Sequence, residues 1–175
     1  MDINFFKKNR ILDGGMGQEL LARGMEPNGT LWSASALINK KYHKLLLDTH
    51  LDFIKAGAEV IVTNTFTTRK VRLRDNNVED KFEYLNNKAG EIALQAKKNY
   101  PDVLIAGSLP PQYLTYEADT RSDDEIADNF YSQAKLSDGI ITAPKIKLID
   151  LTGVNLRELI TPSDASDPAW SGLLP

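Results

Sequence analysis

Cysteine is absent from the 175 residues of this chain. That single lack excludes disulfides, thiol nucleophiles and thiolate metal ligands together. Histidine is almost as scarce, with His43 and His50 the only two. On one helix they would share nearly the same face but sit about 10 Å apart along the axis. Both cannot then bind one zinc ion, whose ligands lie about 2 Å from the metal. A place on a helical face, in the core or at the surface, is the role expected of each. There is no excess of basic charge either. Lys and Arg number 21 against 24 Asp and Glu, for a net charge of −3 and a pI near 5.4. Nucleic acid and anionic membrane are therefore poor candidate partners. No apolar run reaches the roughly 18–20 residues of a membrane span. The opening Met1-Asp2-Ile3-Asn4-Phe5-Phe6-Lys7-Lys8 is too short and too polar for a signal peptide, so a cytoplasmic location is expected. No short repeat and no low-complexity block is visible.

What is present suits one ordinary globular domain: 42% hydrophobic and 26% charged residues. Arg10-Ile11-Leu12 reads as a short buried strand that runs into the glycine-rich turn Asp13-Gly14-Gly15-Met16-Gly17. A short helix is expected over Gln18–Arg23, stopped by Gly24, followed by a polar loop through Pro27, Asn28 and Gly29. Tyr42, Leu45, Leu46, Phe53 and Ile54 recur at helical spacing and predict a helix over 39–56, closed by Gly57. Val60-Ile61-Val62 follows as a second strand. Phe82, Leu85, Ala89, Ile92 and Ala96 predict a helix over 79–99, and Val103–Ala106 a third strand. Another helix is expected over 123–135, with Ser122 and Glu125 as a capping box. Ile140-Ile141 and Ile146–Leu151 are candidate strands, and 161–175 reads as loop or tail.

Strand and helix alternating through short connections mean parallel pairing and right-handed crossovers. The strands are continuous apolar runs, so both faces should be covered. A doubly wound open sheet and part of a (β/α)8 barrel both fit. In either, ligands gather at the carboxyl ends of the strands. Three such ends stand out: Asp13-Gly14-Gly15, Thr63-Asn64-Thr65 and Gly107-Ser108. A carboxylate beside exposed backbone can bind an amino acid, the carboxylate taking the ammonium and neighbouring N–H groups the carboxyl. The competing reading of Asp13 is a residue that caps a turn. Asn64 and Thr65 either contact a ligand or are satisfied loop residues. Ser108, before Leu109-Pro110-Pro111, stands in a stiff turn. Nucleotide binding is not indicated. Gly15-Met16-Gly17 has Leu20 where the dinucleotide fingerprint needs its third glycine, no acidic residue follows at the required distance, and no P-loop is present.

Four segments together resemble the homocysteine S-methyltransferase family. They are Ile11–Leu20 (ILDGGMGQEL), Thr30–Ala34 (TLWSA), His50–Phe66 (HLDFIKAGAEVIVTNTF) and Ala106–Pro111 (AGSLPP), in order and at plausible gaps. The likeness covers about residues 8–137. It implies an α/β fold that is a partial (β/α)8 TIM barrel, with three to four N-terminal βα units and parallel strands. It implies methyl transfer to homocysteine, giving methionine, from a donor such as S-methylmethionine or betaine. It also implies zinc, held in the family by three cysteines, which keeps the acceptor sulfur as thiolate. By position, the resemblance assigns contacts with the amino-acid end of homocysteine to Asp13 and Gly14 and puts Asn64 and Thr65 near the same pocket; with Gly15 and Ser108 from the strand ends, these are the candidate substrate-binding residues. It assigns no catalytic or metal-binding residue to this chain.

The departures are equally definite. The cysteine ligands are missing. Ile140-Ile141-Thr142-Ala143-Pro144-Lys145 replaces the family's acidic fourth strand end, and Leu156 stands after Gly153-Val154-Asn155 where the family has cysteine. Residues 1–137 are thus expected to be the N-terminal part of a homocysteine-binding methyltransferase barrel. Residues 138–175 are expected to be a divergent tail, explained by truncation or a frame shift near Ser137. A few βα units leave open sheet edges, which predicts self-association. Three functions stay open for the chain itself: methyl transfer completed by ligands from elsewhere, a non-catalytic remnant that binds an amino acid, and a different barrel enzyme. The partners expected are small molecules, homocysteine and a methyl donor.

Overall fold

In a computed structural model, residues 7–115 and 117–137 are described, all within the first of two units, Met1–Pro144 and Lys145–Pro175. The candidate strands at 140–141 and 146–151, the Gly153-Val154-Asn155 turn and the 161–175 tail lie outside the described residues.

The Gly-rich turn leads into α1 (Met16–Ala22), which buries Leu20 and ends at Arg23. Gly24 then takes φ +94°. That left-handed step lets Gly24 N–H reach Leu21 O and Met25 N–H reach Leu20 O, at 3.0 and 2.9 Å, satisfying carbonyls the helix end leaves over. The expected polar loop is more ordered than its letters suggest. Gly29–Ala34 forms 3₁₀ turns broken at Trp32, and a single α-turn, α2 (Ser35–Ile38), follows. A 3₁₀ turn at Lys40–Tyr42 leads into α3 (His43–Lys55), which buries Leu46, Thr49, His50 and Ile54 along one stripe. Gly57, at φ +109°, turns the chain back toward the sheet.

Strand β1 (Val60–Val62) pairs in parallel with β2 (Leu104–Ala106), in the register Val60↔Leu104, Ile61↔Ile105, Val62↔Ala106. Between them run α4 (Lys70–Arg74), a 3₁₀ turn at Glu79–Lys81 and α5 (Phe82–Lys97). The helix α6 (Asp123–Ser137) follows β2. Its start is capped as expected, Glu125 N–H donating to Ser122 Oγ at 3.3 Å. The Glu125 carboxylate, however, turns to Arg121 at 3.2 Å. Two apolar clusters hold the layers together. Leu20, Met25, Leu31, Leu37, Leu46, Leu73, Leu85 and Ile92 form one between the helices. Ile54, Ile61, Ala93, Ala96, Val103 and Ile105 form the other, between α3, α5 and the strands. Each fully buried Leu or Ile contributes about 1.5–3 kcal/mol.

One expectation is corrected. Arg10–Leu12 is not a buried strand. Only Leu12 bridges to Val60, in parallel, and Ile11 and Leu12 are 60% and 61% exposed. The segment has a neighbour on the β1 side only among the described residues, and one ladder cannot cover both faces of a strand. The short helix α4 was also invisible to periodicity, since five residues with three basic side chains leave no apolar repeat to read. No helix among the described residues is long and apolar enough to cross a membrane.

Candidate functional site

A cavity of about 700 Å³ opens at the carboxyl ends of the strands, within the range of small-molecule sites. Its wall includes Asp13, Gly14, Gly15, Trp32, Asn64, Phe66, Arg69, Arg72 and Ser108. Five of the six residues singled out from sequence thus meet in one place. Thr65 is the exception. It is buried and does not line the cavity. Its hydroxyl is engaged by the Ser108 carbonyl at 3.0 Å and the Ser108 N–H at 3.3 Å, so it ties the loop after β1 to the loop after β2. Asn64 does reach the wall, but its amide nitrogen already donates to Ser33 O at 2.9 Å.

Asp13 is fixed by the strand beside it. Its N–H donates to Val60 O at 3.0 Å, and its Oδ2 accepts from Val62 N–H at 2.8 Å. The backbone bonds favour the charged form, yet burial outweighs them and pushes the carboxyl up to about 6. A carboxylate so poised gains from any cation that enters the cavity.

The glycines of the turn serve two close approaches. A Cβ on Gly14 would stand 2.8 Å from the Phe53 ring, and one on Gly17 would stand 2.5 Å from Trp32 Nε1. Gly15 has nothing within 4 Å of that position, which leaves its backbone open to a ligand. Trp32 itself has φ +42°, a left-handed value that costs a non-glycine residue on the order of 1–3 kcal/mol. The strained backbone presents the indole to the cavity, opposite Gly17.

Sequence reasoning missed the two arginines and the support behind them. Arg69 is 1% exposed, with its guanidinium carbon 5.7 Å from the centre of the Phe66 ring. Burial chiefly, and then the nearby charge of Arg72, lower it to about 10, still cationic near neutrality. Behind the loop after β1, a buried amide network joins α5 to α6. Gln133 Nε2 donates to Thr65 O at 2.8 Å and to Asn86 Oδ1 at 3.3 Å, and Gln112 Nε2 donates to Gln133 Oε1 at 3.0 Å. A polar residue on an otherwise apolar helix face, as Asn86 and Gln133 are, was the one signal available for it.

The metal expectation does not fit these residues. Among the described residues no three His, Asp or Glu side chains converge, and cysteine is absent throughout. His43 Nε2 lies 3.0 Å from Leu37 O. His50 is wholly buried, with no partner for either ring nitrogen among the described residues, and burial lowers it to about 4. Both histidines are on α3, in the helical-face roles expected of them.

A model of the homocysteine S-methyltransferase family matches residues 10–152, past Ser137. The chain is 32% identical over 104 residues to homocysteine S-methyltransferase 2 of Zea mays, covering 59% of this chain and 30% of that protein. It is 32% identical over 117 residues to the homocysteine S-methyltransferase of Escherichia coli, covering 62% and 37%. With the selenocysteine Se-methyltransferase of Brassica oleracea var. italica the identity is 35% over 94 residues, covering 53% and 26%. Among solved structures, the metallated form of the homocysteine methyltransferase MmuM from Escherichia coli superposes with a TM-score of 0.68 at 26% identity, covering 79% of this chain and 53% of that one. The chain therefore spans about a third of the length of these curated relatives and about half of the solved one.

Proposed function

We propose, from the premise that this chain belongs to the homocysteine S-methyltransferase family, that it supplies the wall of a homocysteine-binding pocket that holds the amino-acid end of the substrate. The observation that carries the reading is Asp13, pinned by Val62 N–H at the edge of the cavity with a carboxyl that burial holds at about 6. The substrate ammonium relieves that burial by pairing with Asp13, and backbone N–H groups of Gly14 and Gly15 take the substrate carboxylate. Asn64 and Ser108 border the same space.

In this reading residues 1–137 are the first strand–helix units of a (β/α)8 barrel, with 138–175 following as a separate segment. The parallel order of Leu12, β1 and β2, with helices between, supports it, as does the likeness to MmuM. The reaction of the complete assembly is methyl transfer to the homocysteine sulfur from a donor such as S-methylmethionine or betaine. The indole of Trp32 and the ring of Phe66 suit a cationic methyl-bearing centre in the donor. The acceptor must be a thiolate to attack the methyl carbon, with the carbon–leaving-group bond breaking as the carbon–sulfur bond forms. By the resemblance, a bound zinc would supply that activation. No residue described here takes that part, and the chain's own contribution is to bind and orient.

Isothermal titration of L-homocysteine into the 175-residue chain tests the reading. Asp13→Asn is expected to weaken binding about tenfold or more, the worth of a buried charge-assisted bond. Equal affinity for wild type and Asp13→Asn, or a phosphorylated ligand preferred over homocysteine, would overturn it.

A further inference from the structure

Two cations line the cavity without an anion between them. Arg69 donates from Nε to Tyr113 O at 2.9 Å and from Nη1 to Phe66 O at 3.1 Å, and its Nη2 reaches Thr115 Oγ1 at 3.5 Å. All three partners are neutral, and they use three of the five N–H groups of a guanidinium. Arg72 lines the same cavity, and its Nε is buried with no hydrogen-bond partner among the described residues. Neither side chain makes an ion pair with another described residue. The nearby pairs are Lys70 with Asp128 and Arg74 with Glu79. The two arginines repel each other, which is part of why Arg69 is pulled down to about 10.

A buried guanidinium such as that of Arg69 is costly without a counter-ion. The half-buried Arg72, with its Nε enclosed and unpartnered among the described residues, adds a second positive charge to the same wall, and an arriving anion offsets both. The planar fork of a guanidinium matches a carboxylate, both of whose oxygens it can hold at once. The acceptor amino acid, placed at the Asp13 turn, has both its charged groups matched there. The cavity, at about 700 Å³, holds more than one molecule of that size, and methyl transfer needs two molecules in contact.

We propose that Arg69 and Arg72 form the subsite for the carboxylate of the methyl donor and set its orientation in the cavity. This rests on the Asp13 reading for the place of the acceptor. Arg69 is tied into the backbone, so it both shapes the corner and charges it. Arg72 is the freer of the two and the better one to change.

The test is calorimetric titration of S-methyl-L-methionine, and of its C-terminal amide, into the full chain saturated with L-homocysteine. The Arg72→Gln and Arg72→Lys variants are titrated in the same way, and thermal melts establish that each is folded. Arg72→Gln is expected to weaken S-methyl-L-methionine about tenfold or more, with Arg72→Lys between it and wild type and homocysteine affinity unchanged. The amide is expected to bind wild type as weakly as the parent compound binds Arg72→Gln, a comparison that needs no variant to fold. Parent and amide binding wild type alike would overturn the proposal. So would an equal loss of homocysteine and donor in a folded Arg72→Gln. A chain that binds homocysteine but no donor refutes the subsite and leaves the Asp13 reading standing. A chain that binds neither refutes both.

Discussion

Homocysteine binding should strengthen as pH rises from about 5 to about 7, and Asp13 should be the cause. In the free chain its carboxyl stands at about 6 because burial outweighs the bond from Val62 N–H. An ammonium pairs with the ionised form only. With that midpoint, about a tenth of the molecules carry the charge at pH 5 and about nine-tenths at pH 7, so the apparent affinity should rise about tenfold, or roughly 1.4 kcal/mol. The substrate does not titrate in this window, because its carboxyl ionises well below it and its ammonium and thiol well above. Binding near pH 5 should also release close to one proton per ligand, since the bound ammonium drives Asp13 to its ionised form. Titration in two buffers of different ionisation heat measures that proton directly. Asp13→Asn should bind weakly at every pH, with a flat profile and no proton exchanged. A wild-type profile that is flat between pH 5 and 7, or a slope that survives in Asp13→Asn, would refute the assignment. The same raised value acts on stability. The free fold is favoured with Asp13 protonated, and that contribution is lost as pH rises through about 6. Ligand should therefore stabilise the chain most on the neutral side.

The other expectations concern packing and charge away from the ligand. Gly17→Ala sets a methyl about 2.5 Å from the Trp32 indole; it should cost about 1–3 kcal/mol of stability and shift tryptophan fluorescence, whereas Gly15→Ala, with open space around it, should leave both unchanged. Gln133→Leu removes the donor to Thr65 O and the acceptor for Gln112; it should lower stability by about 2–4 kcal/mol in a urea melt. His50 is buried neutral, at about 4 instead of the usual 6.5; its contribution is present above pH 6.5 and is lost as pH falls toward 4, by up to about 3 kcal/mol, and His50→Leu should flatten that limb. Zinc should not bind tightly, since the chain has no cysteine and its two histidines are committed elsewhere; a one-to-one complex with a Kd below about a micromolar would contradict this.

The fold was legible where periodicity and punctuation agree. The helix α3 and the left-handed Gly57 after it are local facts, written in neighbouring letters, although of the five residues that signalled the helix only Leu46 and Ile54 are on its buried stripe. The strand ends were legible for the same reason, and Asp13, Gly14, Gly15, Asn64 and Ser108 do meet around one cavity. Thr65 was not separable from Asn64 by sequence, because one residue of offset decides which faces the cavity and which faces the Ser108 backbone. Arg10–Leu12 was misread because the apolar pair Ile11-Leu12 reports the wish to be buried and not the neighbours that would bury it. Arg69 was hidden most deeply. An arginine in a polar run reads as surface, and its burial depends on Tyr113 and Thr115, more than forty positions away in the sequence.

Binding the amino acid and activating its sulfur are separate physical tasks, and the proposed role of this chain is the first. Holding an ammonium and a carboxylate takes one desolvated carboxylate and free backbone N–H groups, which a single strand end and its glycine turn supply. Making a thiolate at neutral pH takes a strong local positive charge at the sulfur, and for a zinc ion that means three or four soft or nitrogen ligands about 2 Å from one point. His43 and His50 are fixed on one rigid helix and turned to other uses: one ring nitrogen of His43 meets a backbone carbonyl, and His50 is sealed in the core. The site at Asp13 can thus keep its shape without the metal, since the bonds that position Asp13 among the described residues come from its own backbone and that of β1.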